Sequence, residues 1–224
     1  MPALQKKKIT IVHRHPRHVP ISKKHPNGIT IVRQHSRRLP GSTFTKEDIE
    51  ETAKSYSKNL EYPTSNRLEQ KDADKYDDLI AIWVDYFNGK LVKPPLVPLE
   101  PNIFKALLAS ESDFKSDPKG NPTAIGIAQI TPETLGILQD SEGEVKEFIF
   151  KGIRQKDLKD PKTAIPLGVR WLFRKRDAAA GKLKQVPTAE EIILEYKGLL
   201  KSKSDYKNNA LAKFRKAYGQ LTKK

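Results

Sequence analysis

One carboxyl stands out by position. Ile103, Leu107 and Glu111 fall at i, i+4 and i+8 of a stretch with helical periodicity, so they share one face. Extending that apolar face places the Glu111 carboxyl at the edge of a core, where the helix ends. Desolvation there favours the protonated form, and the negative end of the helix dipole adds to it. A carboxyl that keeps its proton near neutral pH can give it to a leaving oxygen. A solvated Glu at a helix terminus has the same spacing, and both readings of Glu111 stand at this point.

The residues that follow widen the case. Gly120 and Gly126 allow close approach of backbone to a ligand, and Gln129 offers a donor and an acceptor suited to sugar hydroxyls and acetamides. Thr131-Pro132 opens a short helix, with Thr as N-cap and Pro in the first turn. Asp113 and Asp117 read as solvated loop residues, so no second carboxylate with a persuasive placement accompanies Glu111.

The elements that must position these groups are helical. Thr45 with Asp48 predicts an N-cap, followed by Ile49, Ala53, Tyr56 and Leu60 at helix spacing. A second helix is expected over about 72–88, with Tyr76, Leu79, Ile80, Trp83 and Phe87 as its stripe and Asn88-Gly89 as its stop. The proline-rich KLVKPPLVPLEP reads as an extended connector. Helices are then expected over 101–111, 163–179, 189–200 (opened by a Thr188/Glu191 capping box) and 205–219. Ala124–Ile130 is the one weak strand candidate after residue 41. The class is mainly α.

Composition sets the frame. The chain has 224 residues, 37% hydrophobic and 31% charged, enough for one domain with a core and an appendage. No apolar run is long enough to cross a membrane as a helix. The absence of cysteine excludes disulfides, thiolate metal sites and a thiol nucleophile. Ile9–Val12 is too short for the apolar core of a signal peptide, so an extracytoplasmic substrate implies delivery by a phage or by a route other than the general secretory one.

Charge is uneven. Residues 1–40 hold ten Lys and Arg and no acid, out of a net +15. ITIVHRHPRHVP (9–20) recurs as ITIVRQHSRRLP (29–40). This tail is expected to be flexible or to add strands to a partner. His13 and His15 have metal-chelating spacing but no carboxylate nearby, so a solvated basic tail is the expected reading and neither a metal nor a cofactor is expected. An anionic membrane, lipopolysaccharide or an assembly partner fits such a tail. Specific nucleic-acid reading does not, since Phe44 is the one aromatic near it.

LLASESDFKSDPKGNPTAIGIAQITPETLG (107–136) resembles the catalytic stretch of the soluble lytic transglycosylases, which carries Glu-Ser and then Gly-Leu-Met-Gln before a Pro-Thr-like turn. DLKDPKTAIPLGVRWL (157–172) is similar to a second block of that family and ILEYKGL (193–199) to a third, Ala-Tyr-Asn-x-Gly. The blocks occur in order over roughly 97–200.

The resemblance implies a lysozyme-like helical domain over 94–224, related to goose-type lysozyme, behind a helical extension over 42–93 and the basic tail over 1–41. It implies action on peptidoglycan glycan strands in the periplasm or cell wall. Glu111 would act as sole acid and then base. Ser112, Gly126, Ile127, Ala128, Gln129 and Tyr196 would bind substrate, and Tyr196 would face Glu111, although core packing explains Tyr196 equally well. The product would be a 1,6-anhydro sugar. A hydrolytic lysozyme of phage or effector type and a non-catalytic wall-binding module are the alternatives. Goose-type lysozymes carry an Asp where this chain has Thr131. Ala128 replaces the family's Met, Gly120 a Ser, and Ala164 and Lys197 two Asn, which alters the implied subsites and leaves the acid in place.

Overall fold

A computed structural model describes residues 9–12, 15–18, 29–32, 35–38, 42–56, 60–118 and 123–223. The chain divides into two units, Met1–Ser42 and Thr43–Lys224.

In the first unit the repeat pairs with itself. Strands β1 (Ile9–Val12), β2 (His15–His18), β3 (Ile29–Val32) and β4 (His35–Arg38) form two antiparallel ladders, β1 with β4 and β2 with β3. Each β-branched ITIV tetrapeptide takes the basic stretch of the other copy as its partner, so the backbone groups of both copies find partners within the chain. His13, one half of the weighed chelating pair, lies outside the described residues, as does Gly120.

The second unit begins in β5 (Ser42–Phe44), which pairs with β6 (Phe148–Phe150). Seven helices follow among the described residues: α1 (Lys46–Ser55), α2 (Asp77–Leu91), α3 (Pro101–Ser112), α4 (Pro132–Gln139), α5 (Pro161–Leu183), α6 (Ala189–Tyr196) and α7 (Ser204–Thr222). The chain is therefore mainly α. Local sequence sets several of the helix starts. At Thr45 the hydroxyl accepts from the Asp48 N–H at 3.3 Å and the Asp48 carboxylate accepts from the Thr45 N–H at 2.8 Å, a reciprocal cap. Thr188 and Glu191 repeat the arrangement, and Thr131 caps α4 ahead of Pro132.

Helix α5 is the centre. Residues 163–173 are buried without a break, including Arg170, whose guanidinium donates to the Phe148 and Val145 carbonyls at 3.3 Å. Helices α2 and α6 pack on α5, and α3 packs on α7. An aromatic cluster joins early and late segments: Phe44 meets Trp83 edge-on at 5.8 Å, and Phe87 meets Phe173 at 5.9 Å. Helix α2 thus shares one core with the helices beyond residue 100. At Gly168 of α5 an added Cβ would sit 2.6 Å from the Ala128 Cβ and 3.0 Å from the Phe104 ring. That close approach seats the 125–130 segment against α5 and α3.

Two sequence expectations are corrected. The Asn88-Gly89 pair does not end α2, which continues to Leu91. The Asn88 amide instead donates to the Leu99 carbonyl at 2.9 Å and accepts from the Leu99 N–H at 2.8 Å, which fastens the connector. Nor is Ala124–Ile130 a strand. Ile125 and Ile130 exchange both backbone bonds at 3.0 Å around a tight turn in which Gly126 (φ 73°) and Gln129 (φ 49°) are left-handed.

Candidate active site

Glu111 is the penultimate residue of α3, and its side chain is 17% exposed. The apolar face that carries it is real: Ile103 is 7% exposed and Leu107 fully buried. The helix stops abruptly after it. Asp113 and Phe114 are both left-handed, at φ 50° and 62°. Asp tolerates that region, but Phe does not do so freely, and strain of this kind persists only where packing enforces it. Burial of the Phe114 ring, 2% exposed, supplies that enforcement.

The Glu111 carboxylate is held by the ammonium of Lys197, also 17% exposed. Lys197 is the C-cap of α6. Gly198 follows at φ 72°, its N–H donating to the Glu195 carbonyl at 3.1 Å, while the Leu199 N–H donates to the Leu194 carbonyl at 2.7 Å. This reciprocal closure explains why α6 ends at Tyr196 and not at the expected residue 200, since the glycine takes the left-handed position the turn needs.

Tyr196 donates its hydroxyl to the Ala128 carbonyl at 2.9 Å. Burial pushes its phenol well above the ordinary value, and the negative charge of Glu111 adds to this. The phenol therefore stays protonated and remains a donor. The ends of α3 and α6 and the 125–130 turn meet at these two contacts.

The turn is built from its own backbone. The Gly126 carbonyl accepts from the Gln129 N–H at 3.1 Å and from the Gln129 side-chain amide at 2.9 Å. A Cβ on Gly126 would lie 1.9 Å from the Leu158 carbonyl oxygen. Gly126→Ala is expected to cost about 1–3 kcal/mol, through overpacking and a left-handed φ that alanine resists. A lowered melting temperature, followed by circular dichroism, checks it.

The structure separates the sequence-picked residues into two sets. Glu111, Tyr196 and the partly exposed Gln129 belong to the meeting point or its turn. Ser112, 3% exposed, donates its hydroxyl to the Leu108 carbonyl at 3.1 Å. Ile127 and Ala128 are fully buried, and Gly126 is buried as well, so they build the turn. Ala128, which stands where the resembling family has Met, packs against Gly168. The neighbouring acids turn elsewhere: Asp113 toward Lys213 at 4.0 Å and Asp117 toward Lys159 at 3.4 Å.

Lys197 as a partner of Glu111 was not legible in the sequence. The one signal was its place after Tyr196, where the resembling family carries Asn. Among the described residues no three His, Asp or Glu side chains gather as a metal site requires, and no helix is long and apolar enough to cross a membrane.

A family model described as the transglycosylase SLT domain matches residues 97–209. The matched stretch, half of the chain, contains α3, the 125–130 turn and Tyr196-Lys197. No curated protein and no solved structure matches the chain.

Proposed function

Because the chain belongs to the transglycosylase SLT domain family, whose chemistry is cleavage of peptidoglycan, we propose that it is a lytic transglycosylase acting on the β-1,4 bond between N-acetylmuramic acid and N-acetylglucosamine. Glu111 is the single acid and base. It protonates the glycosidic oxygen while the substrate's N-acetyl group stabilises the developing cation. It then takes the proton of the muramic 6-hydroxyl as that oxygen closes on C1.

One observation carries this reading. A half-shielded carboxylate at the end of α3 is joined, through the Tyr196-Lys197 corner of α6, to the 125–130 turn, all inside the matched stretch. Two-carboxylate hydrolysis needs a second acid across the scissile bond, and the nearest candidates along the chain, Asp113 and Asp117, face lysines away from Glu111. Tyr196 is a positioning residue, fixing the turn through the Ala128 carbonyl. Residues 94–224 form the catalytic part, 42–93 a helical extension that shares its core, and 1–41 a basic tail directed at anionic lipid, lipopolysaccharide or an assembly partner. The substrate places the action in the periplasm or cell wall.

Mass spectrometry of digested peptidoglycan tests the reaction. The expected muropeptides end in 1,6-anhydro muramic acid, lighter than the hydrated form by one water. Hydrated ends alone would assign hydrolysis instead.

The ion pair on Glu111 favours a second reading, a wall-binding module whose acid is silenced. Loss of turbidity of a cell-wall suspension separates the two, because a module binds walls without clearing them.

A further inference from the structure

Lys197 touches the proposed acid, and no step of the proposed reaction uses it. Its backbone is fixed by the closure of α6, the N–H donating to the Ile193 carbonyl at 3.0 Å. A lysine stem is long enough to carry its charge into water, yet this one lies against Glu111 with both side chains 17% exposed. The surrounding charges are committed elsewhere. On α6, Glu195 pairs with Lys182 at 2.5 Å, and Tyr196 stays neutral. After α3, Asp113 reaches Lys213 of α7. Among the described residues Glu111 is the carboxylate within ion-pair distance of Lys197.

This pairing sets a condition on catalysis. Glu111 Oε1 accepts from the Lys197 ammonium, so that oxygen can present a proton to a leaving oxygen only once the ammonium has moved. Withdrawing the ammonium without replacement would leave two half-shielded charges unpaired, which is costly. The exchange becomes favourable when an anion of the substrate takes the ammonium. A muramyl residue brings such an anion: its lactyl carboxylate when the stem peptide is absent, or the carboxylates of the stem peptide when it is present. A neutral N-acetylglucosamine polymer brings none.

We infer that Lys197 is a specificity-determining residue whose ammonium passes from Glu111 to a carboxylate of the muramyl substrate, freeing Glu111 to act. The inference rests on Glu111 being the acid. The freed carboxylate takes a proton from solvent and gives it to the leaving glycosidic oxygen as the C1–O bond breaks. It regains a proton from the 6-hydroxyl as the C1–O6 bond forms, and returns that proton to solvent when Lys197 closes again.

The test uses the full chain and three substrates: glycan strands stripped of peptide by an amidase, peptide-bearing strands, and stripped strands whose carboxylates are converted to neutral amides. Wild-type kcat/KM is expected to be about tenfold or more lower on the neutral strands, the scale of a lost charge pair. In Lys197→Gln and Lys197→Met that ratio is expected to shrink to about twofold or less, while Lys197→Arg keeps it. Equal rates on stripped and peptide-bearing strands assign the stem carboxylates as sufficient; preference for stripped strands assigns the lactyl group. Wild-type protein that cleaves neutral strands as fast as charged ones overturns the inference whether or not the variants fold. An undiminished charge preference in folded Lys197→Gln or Lys197→Met overturns it too. Failure of the underlying reading looks different, since Glu111→Gln would then retain cleavage of every substrate.

Discussion

Glu111→Gln is expected to abolish glycan cleavage while the protein stays folded, with kcat falling by about 10²–10⁴-fold, the range general acid–base groups supply. The amide matches the carboxyl in shape and cannot donate an acid proton. Its cost to the fold is small for a local reason. Among the described residues the ion pair lost is the one with Lys197, 17% exposed on both sides, and the glutamine carbonyl still accepts from the same ammonium. Glu111→Asp keeps the acid but withdraws it by one methylene, roughly 1 Å, a displacement that costs on the order of 10²-fold where reacting groups must meet in register. Clearing of wall suspensions and counts of anhydro ends read the activity, and a melting curve reads the fold. Wild-type clearing by a folded Glu111→Gln protein would move the acid to another residue.

What the sequence made legible was mostly local. The caps at Thr45, Thr131 and Thr188 lie within three residues of their partners, so sequence spacing suffices to read them. The face leading to Glu111 was legible for the same reason: one helix, one period, from Ile103 through Leu107. Misreadings arose where a partner lies farther away. Asn88 reads as a helix stop until Leu99 claims both ends of its amide. The alternating residues of 124–130 read as a strand until Gly126 and Gln129 both take left-handed dihedrals. Ala128 is buried because α5 offers Gly168 beneath it, 40 residues on in the chain. The Lys197 contact spans 86 residues of sequence and no periodicity encodes it. Lys105 is the same case in the core. It is fully buried on α3, and its carboxylate partners Asp74 and Asp77 lie 31 and 28 residues away.

Lys105→Met is expected to destabilise the protein by about 3–5 kcal/mol, the cost of removing one partner from a buried ion pair. All three ammonium protons are engaged. They reach the Thr64 carbonyl at 2.9 Å, Asp74 at 2.6 Å and Asp77 at 2.9 Å. Desolvation already pushes the Asp77 carboxyl above its ordinary value, against the opposing pull of Lys105 and of the Ser65 hydroxyl. Methionine fills much of the same space and leaves Asp77, 8% exposed, charged without a counter-ion. The double variant Lys105→Met/Asp77→Asn removes the two buried charges and leaves Asp74, 37% exposed, to solvent. It is expected to recover most of the loss, because a neutral buried amide needs only the hydrogen bonds that Ser65 and its neighbours retain. Urea unfolding of the full chain measures both, and the single variant should melt on the order of 10 °C lower. The site feels this as well. Lys105 and Asn102 pin the Thr64 backbone, so the 60–77 segment is tied to the first turns of the helix that carries Glu111. That segment lies outside the matched stretch 97–209. A single variant that unfolds early while the double variant stays stable and active would show that an unpaired buried charge, and not loss of the segment's contacts, loosens the acid's helix.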